Sequence, residues 1–309
     1  LPRSELALAG GILGLLVVFL VPLPPRLLDV LLAFNLSCTI LVLLITLGVK
    51  AALEFSVFPS LLLLMTLVRL ALNVATTRLI LLEGNAGDVV AAFGKFVVGG
   101  NLVVGLVIFL ILIVIQFVVI TRGASRVSEV AARFTLDAMP GKQTAIEADL
   151  NAGVINDVQA RERRAGLLRE SEFYGTMDGA SKFVRGDAVA GLIITAINLL
   201  GGIVIGAMKG MPISEAIRVY SILTIGDGLI TQIPALIIAT ASAMLVTKST
   251  SENSLGQEIS QQFGNSAATI RLSSYIVAAL ALVPGLPKLP FLLLGAGLYF
   301  ASRRIASLV

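Results

Sequence analysis

Histidine and tryptophan are both missing from this 309-residue chain, cysteine occurs once, and charged residues make up only 14%. Each shortage closes off a class of function. Without histidine the chain lacks the commonest metal ligand and the only side chain whose unperturbed pKa lies near neutrality, so zinc, haem and His-relay mechanisms are excluded. Any proton handling must rest on carboxylates. The lone cysteine, Cys38, allows no intramolecular disulfide; it sits in an apolar run, reads as a small buried hydrophobe and leaves the redox compartment undefined. Ordinary globular domains are about 25% charged. A chain with so little charge, 57% hydrophobic residues and a mean hydropathy of +0.96 reads instead as an all-α, polytopic membrane protein.

What is present is long apolar runs. They are unbroken rather than spaced along one helix face, and a bilayer core requires about 20 such residues of a helix. Eight candidate spans follow: 6–22, 27–47, 58–82, 96–120, 187–208, 220–246, 267–284 and 288–302, the last two being short. LVPGLPKLP between the last two reads as a tight Pro/Gly hairpin. The first run leads into PLPPR without a small-residue cleavage site, so it is expected to be a retained span rather than a signal peptide. The fourth is rich enough in Val and Ile to suggest β-structure in water. In lipid, however, a helix satisfies every backbone group internally, and helix is expected.

Lys and Arg set the orientation. With the N-terminus cytoplasmic, the inner segments hold Arg3, Lys50, ten basic residues from Arg122 to Arg185, Lys248, Arg271, Arg303 and Arg304; the outer ones hold Arg26, Lys95, Lys209, Arg218 and Lys288. This bias predicts both termini in the cytoplasm. It also accounts for most of the net charge of +4, which is therefore no argument for nucleic acid. The expected organisation is a first membrane block over residues 1–121, a cytoplasmic insert over 122–186 and a second membrane block over 187–309. The insert's acids and bases nearly balance, and PGK, NAG, FYG and DGAS punctuate it, which predicts several helices and turns. Its second helical stretch has Asn156 or Asp157 as N-cap. TKSTSENSLGQEISQQFGNS, between the sixth and seventh spans, reads as a looser loop.

Charges inside the spans are the informative exceptions. The third carries Arg69, Asn73, Thr76, Thr77 and Arg78. An arginine at the centre of a membrane costs from about 3 kcal/mol upward, so Arg69 must face protein or water and have a partner. Asn73 shares its face, whereas Arg78 falls roughly opposite and reads either as functional or as snorkelling to the outer interface. In the sixth span TIGDGLITQIP sets Asp227 between glycines and ahead of Pro234; an unwound or kinked stretch is expected, with Asp227 as an ion-path carboxylate or the counter-ion of Arg69. Asp187 opens the fifth span and reads equally as a functional acid or as one that satisfies the helix dipole. NLLGGIVIG in the same span offers a small-residue surface for close helix contact.

RFTLDAMPGKQTAIEADLNAG, residues 133–153, is the most polar long stretch. Its PGKQ invites comparison with a nucleotide-binding loop, but that needs G-x-x-x-x-G-K-[ST], and this chain has Leu136 and Gln143 at the first and last positions. What remains is a turn at Pro140 and Gly141, then a short helix from about Gln143 that ends before Gly153, with Ile146 and Leu150 as an apolar stripe and Gln143, Glu147 and Asn151 on another face. Composition alone makes it an amphipathic surface helix.

The stretch closely resembles the signature of the FHIPEP family, the large export-gate protein of flagellar and virulence-type type III secretion systems. RLALNVATTRLILLEG, FGKFVVGGN, VVITRGASRVSEVAARF, EFYGTMDGASKFVRGDAVAG and LTIGDGLITQIPAL are similar to family segments in the same order, so the resemblance covers nearly the whole chain. FVVGGN and DAMPGKQ look more like the flagellar branch than the injectisome branch. The resemblance implies eight transmembrane helices in a bacterial inner membrane, a helical cytoplasmic insert, and a large cytosolic C-terminal domain that docks chaperone and substrate complexes and lies outside this chain. It further implies a homo-oligomeric ring, typically a nonamer, that works with other membrane components and the export ATPase complex, contacts membrane lipids, and couples proton or sodium motive force to export of unfolded substrates. The family's functional charges fall on Arg69, Arg78, Lys142, Glu147 and Asp187, with Asp149 and Asp227 as further candidates. Where this chain has Glu147 and Thr144 the family usually has Asp and Met; Glu keeps a titratable carboxylate. Neither enzymatic activity nor a cofactor or metal is expected. The alternatives are an injectisome homologue, a small-solute secondary transporter built on Asp227 and Arg69, with paired discontinuous helices, and a passive ring scaffold.

Overall fold

The computed structural model describes residues 3–248, 256–257, 261–262, 267–283 and 286–306, and every regular element among them is helical. The helices are α1 (Arg3–Leu20), α2 (Pro25–Gly48), α3 (Phe58–Glu83), α4 (Asp88–Val98), α5 (Leu102–Val114), α6 (Arg122–Asn151), α7 (Asp157–Met208), α8 (Ile213–Val246), α9 (Ala267–Leu280) and α10 (Lys288–Ala306). A 3-10 turn, Ala52–Phe55, precedes α3, and a π-helical segment, Ile115–Thr121, joins α5 to α6 without a break. The chain divides into two units, 1–250 and 251–309. In the second, α9 and α10 pack on each other, with Gly295 set against Ala278 and Ser274. Pro284 and Gly285 of the expected LVPGLPKLP hairpin, and most of the polar loop before α9, lie outside the described residues.

Five helical segments are long and apolar enough to cross a membrane: Pro25–Gly48, Phe58–Glu83, Leu102–Asn151, Asp157–Met208 and Ile213–Val246. The apolar stretches of α1, Ala9–Leu20, and of α9 are shorter. Large apolar side chains cover the outside of the first unit, including Val30, Phe34, Val103, Ile111, Val119, Ile193 and Leu200, which is the surface a lipid-embedded bundle presents.

Three expected breaks are absent and one unforeseen break is present. The fourth span was expected to run over 96–120; instead α4 ends at a turn where Gly99 and Gly100 take φ of +52° and +89°. Asn101 then starts α5, its side chain accepting from the Val103 and Val104 amides at 3.1 and 3.3 Å. Second, the insert does not fold as several short helices. α6 and α7 form one antiparallel hairpin whose helices continue through positions 122 and 186 into the apolar segments, and FYG and DGAS lie within α7. Third, the turn expected at Pro140 and Gly141 is helical. Proline removes one backbone bond there, but Leu136 and Pro140 are exposed, so the freed Leu136 carbonyl is not shut away in the core, while the Thr144 hydroxyl bonds the Pro140 carbonyl at 2.9 Å. Ile146 and Leu150 pack against Ile155, Ala160 and Leu167, holding the hairpin closed at its tip. Only NAG is a turn, with Gly153 at φ +70°, followed by a capping box in which Asn156 and Gln159 satisfy each other's amides at 2.8 and 3.0 Å.

The fourth difference concerns α8, expected to unwind at TIGDGLITQIP. It is continuous from Ile213 to Val246. Its glycines serve close approach rather than unwinding: a Cβ at Gly226 would strike the Val90 carbonyl, and one at Gly228 the Phe109 ring. Thus α4 and α5 lie directly on α8, which also packs against α2, α3 and α7. The small-residue surface expected on the fifth span is present, since Gly202 and Gly206 receive the fully buried ring of Tyr220. Cations from one helix close the carbonyl ends of others. Lys209 reaches the Leu82 carbonyl at the end of α3, and Lys248 reaches those of Leu47 and Val49 at the end of α2.

Candidate functional site

Burying a charge in an apolar bundle costs several kcal/mol unless it is paired, so the buried charges locate the site. Arg69, midway along α3, forms an ion pair with Asp187 of α7, with side chains 5% and 3% exposed. Asp187 lies in the interior of α7 rather than at a helix start, so the expected dipole role does not apply. The expected counter-ion, Asp227, sits elsewhere: its Oδ2 accepts from Asn198 Nδ2 at 3.0 Å, and Asn198 is wholly buried. Helix-wheel arithmetic places residues on one helix; it does not say which neighbouring helix faces them.

Arg69, Asn73 and Asp187 line a cavity of about 50 Å³ together with Gln116, Thr195, Gly228, Thr231 and Gln232. By size it has room for about three or four waters. The π-helical register turns Gln116 and Thr121 to the buried face while Val118 and Val119 remain exposed. Among the described residues Asn73 Oδ1, Asp187 Oδ1 and Asn198 Oδ1 have no hydrogen-bond partner, and neither has Asp227 Oδ1, although the Thr76 side chain lies beside that carboxylate. Buried acceptors of this kind are satisfied by water or a cation. A second, smaller cavity of about 10 Å³ lies against Thr121, Ser125, Ser181 and Ser242, and Ser181 donates to Ser128 at 3.0 Å. Ser181, Asp187, Thr195 and Asn198 thus form a file of polar side chains on α7, about 25 Å long at 1.5 Å per residue.

The other expected site residues lie apart from this file. Arg78 donates to the Leu20 and Phe19 carbonyls at 3.0 and 3.1 Å, closing the end of α1. In the hairpin Lys142 pairs with Glu170 at 3.0 Å, Asp149 with Arg163 at 2.9 Å and Glu147 with Arg164 at 3.8 Å, all of them substantially exposed. Arg164 and Asp187 share α7, which puts the Glu147 pair about 35 Å along the helix from the buried one. The structure therefore brings Arg69 and Asp187 together, holds Asp227 on Asn198 outside their cavity, and sets Lys142, Glu147 and Asp149 in a separate group. Sequence reasoning passed over Asn198 and Gln116. Each is a solitary amide in a long apolar run, the same signal that singled out Arg69.

The FHIPEP family profile matches residues 15–308. The chain is 51% identical to the putative flagellar export/assembly protein LfhA of Escherichia coli O44:H18 (strain 042 / EAEC), over 98% of this chain and 46% of that protein. It is 51% identical to the flagellar biosynthesis protein FlhA of Escherichia coli (strain K12), over 94% and 43%, and 48% identical to the low calcium response locus protein D of Yersinia pestis, over 98% and 44%. The chain spans less than half the length of these relatives, and no solved structure matches it. With a family match that takes in almost the whole helical chain, signature and membrane segments alike, this chain belongs to the FHIPEP family.

Proposed function

We propose that this chain is the membrane part of an export gate in a flagellar type III protein secretion apparatus, and that it couples proton or sodium motive force to the export of unfolded substrates. The names of its flagellar relatives support the export role. The observation that carries the coupling is the buried Arg69–Asp187 pair facing a cavity of about 50 Å³, with unpartnered carboxylate and amide oxygens around it. Protonation of Asp187, or a cation at its free oxygen, weakens its attraction to Arg69. Asp187 sits on α7, the unbroken helix that forms one arm of the hairpin, and Lys142, Glu147 and Asp149 sit on the other arm, α6, so a shift of α7 in the bundle reaches the signature through the ion pairs with Glu170, Arg164 and Arg163. In this reading the membrane blocks are 1–121 and 187–309, residues 122–186 are a cytoplasmic lever, and both termini are cytoplasmic. The subunits form a ring, a nonamer by family analogy. Chaperone complexes and the export ATPase act through the part of the relatives that this chain does not span. The chain itself is no enzyme and needs no cofactor beyond the coupling ion.

The test is Glu147→Gln together with Asp187→Asn, each in the protein as its host expresses it. Each should abolish secretion and motility while membrane assembly persists. Normal motility with Asp187→Asn defeats the coupling role of the cavity; normal motility with Glu147→Gln removes the hairpin charge from the mechanism. A small-solute transporter built on Asp227 and Arg69 calls for paired discontinuous helices, and TIGDGLITQIP, the segment expected to break, is a continuous helix. An injectisome role is the alternative within the family, and a passive scaffold would leave both substitutions silent.

A further inference from the structure

Where the apolar part of α7 gives way to its charged part, a cleft of about 540 Å³ opens between α7 and the junction of the π segment with α6. Its walls are Phe117, Arg122 and Arg126 on one side and Lys182, Arg185, Gly186 and Val189 on the other. Four cations meet there. Two are matched locally, Arg126 by Glu129 at 3.3 Å and Lys182 by Asp178 at 2.6 Å. Arg122 and Arg185 form no ion pair among the described residues; Arg122 instead lies over the Phe117 ring, 4.9 Å from its centroid. Two unmatched arginines converging on one cleft create a positive potential that only an anion relieves.

The cleft also has a direction. Along one stripe of α7 the order is Lys182, Arg185, Val189, Ile193, from charge to exposed apolar side chains, and on the facing helical arm Arg126 and Arg122 lead to exposed Val119 and Val118. A ligand that fills it has an anionic head and apolar tails, and the two helical segments that wall the cleft, Leu102–Asn151 and Asp157–Met208, are both long and apolar enough to cross a membrane. Gly186 keeps the floor open, since no atom lies within 4 Å of where its Cβ would be.

We propose that this cleft is a headgroup site for an anionic phospholipid. Arg122 and Arg185 hold the phosphodiester oxygens while the acyl chains run along Val118, Val119, Val189 and Ile193. Arginine's planar fork suits a phosphate with two free oxygens, and basic pockets between helices at a membrane face are suited to such lipids. The walls offer no unpaired carboxylate for the ammonium of a zwitterionic headgroup. The proposal concerns lipid recognition and stands apart from ion coupling.

The experiment is native mass spectrometry of the detergent-purified protein titrated with phosphatidylglycerol, with phosphatidylcholine, and with phosphatidylglycerol in millimolar inorganic phosphate. Wild type is expected to bind phosphatidylglycerol in preference to phosphatidylcholine, undisturbed by free phosphate. Each arginine contributes about a fivefold factor near an anionic headgroup, so Arg122→Gln/Arg185→Gln should weaken binding roughly 30-fold. An equal charge loss on the distal hairpin, Arg161→Gln/Arg169→Gln, should not. Gly186→Leu adds bulk at the floor without changing charge, at a position where a Cβ meets no atom within 4 Å, and should also expel the lipid; unchanged helicity certifies the fold of each variant. The proposal is overturned if phosphatidylcholine binds equally, if free phosphate displaces the lipid, if the hairpin variant loses as much as the cleft variant, or if Gly186→Leu retains the lipid.

Discussion

Replacing one member of the Arg69–Asp187 pair leaves the other charge buried and alone, and the size of that effect follows from its surroundings. Both side chains are at most 5% exposed and in direct contact. Two unit charges about 4 Å apart at an effective dielectric of about 20 attract by roughly 4 kcal/mol. Removing one partner of a buried pair costs about 3–5 kcal/mol, because the survivor keeps its desolvation penalty. Asp187→Asn and Arg69→Met should therefore each destabilise the bundle by about 3–4 kcal/mol, a large share of the 5–15 kcal/mol typical of a folded domain. The double variant Arg69→Met/Asp187→Asn should cost no more than one single variant, leaving a coupling energy of about 3 kcal/mol. Reversible unfolding in mixed micelles, followed by helical circular dichroism, measures all four corners of the cycle. Additivity within about 0.5 kcal/mol would refute a desolvated pair at this position. The double variant also separates folding from function: it should fold yet fail to restore secretion.

Identical glycine substitutions should act with opposite sign at two places. Gly226→Ala drives a methyl into the Val90 backbone carbonyl and should cost about 1–3 kcal/mol or more, whereas Gly141→Ala, in open helical space, should stabilise by about 0.5–1 kcal/mol; melting temperatures decide. Arg78→Gln removes two bonds to the end of α1 and should lower stability by about 1–2 kcal/mol without altering ion flux, an outcome that a flux defect in a folded variant would contradict. Asn156→Ala breaks the capping box and should cost about 1 kcal/mol, read as faster amide exchange at the hairpin tip. Glu147→Gln loses only an exposed 3.8 Å pair and should shift stability by no more than about 1 kcal/mol, so its export defect cannot be ascribed to unfolding.

The membrane character of the chain was legible because bilayer thickness translates directly into run length, and Arg69 was legible because its burial is so costly without a partner. Breakers read poorly. Pro140, Gly175, Gly179, Gly226 and Pro234 all lie inside helices, since the packing of α7 and α8 and the apolar seam at the hairpin tip outweigh local propensity. The Gly99–Gly100 turn was missed for the converse reason, the valines around it dominating the reading. The partner of Arg69 was not legible, because the choice between Asp187 and Asp227 depends on which helices adjoin. The hairpin ion pairs were hidden in the same way: Lys142, Glu147 and Asp149 meet Glu170, Arg164 and Arg163 only once α6 and α7 run antiparallel.

The most direct measurement is ion flux through the purified protein in liposomes under an imposed proton or sodium gradient, comparing wild type with Asp187→Asn and with Arg69→Met/Asp187→Asn. If the buried cavity carries the coupling ion, wild type conducts one of the two ions and both variants fall to the level of protein-free vesicles with their helicity intact. Wild-type flux in the folded variants would contradict it.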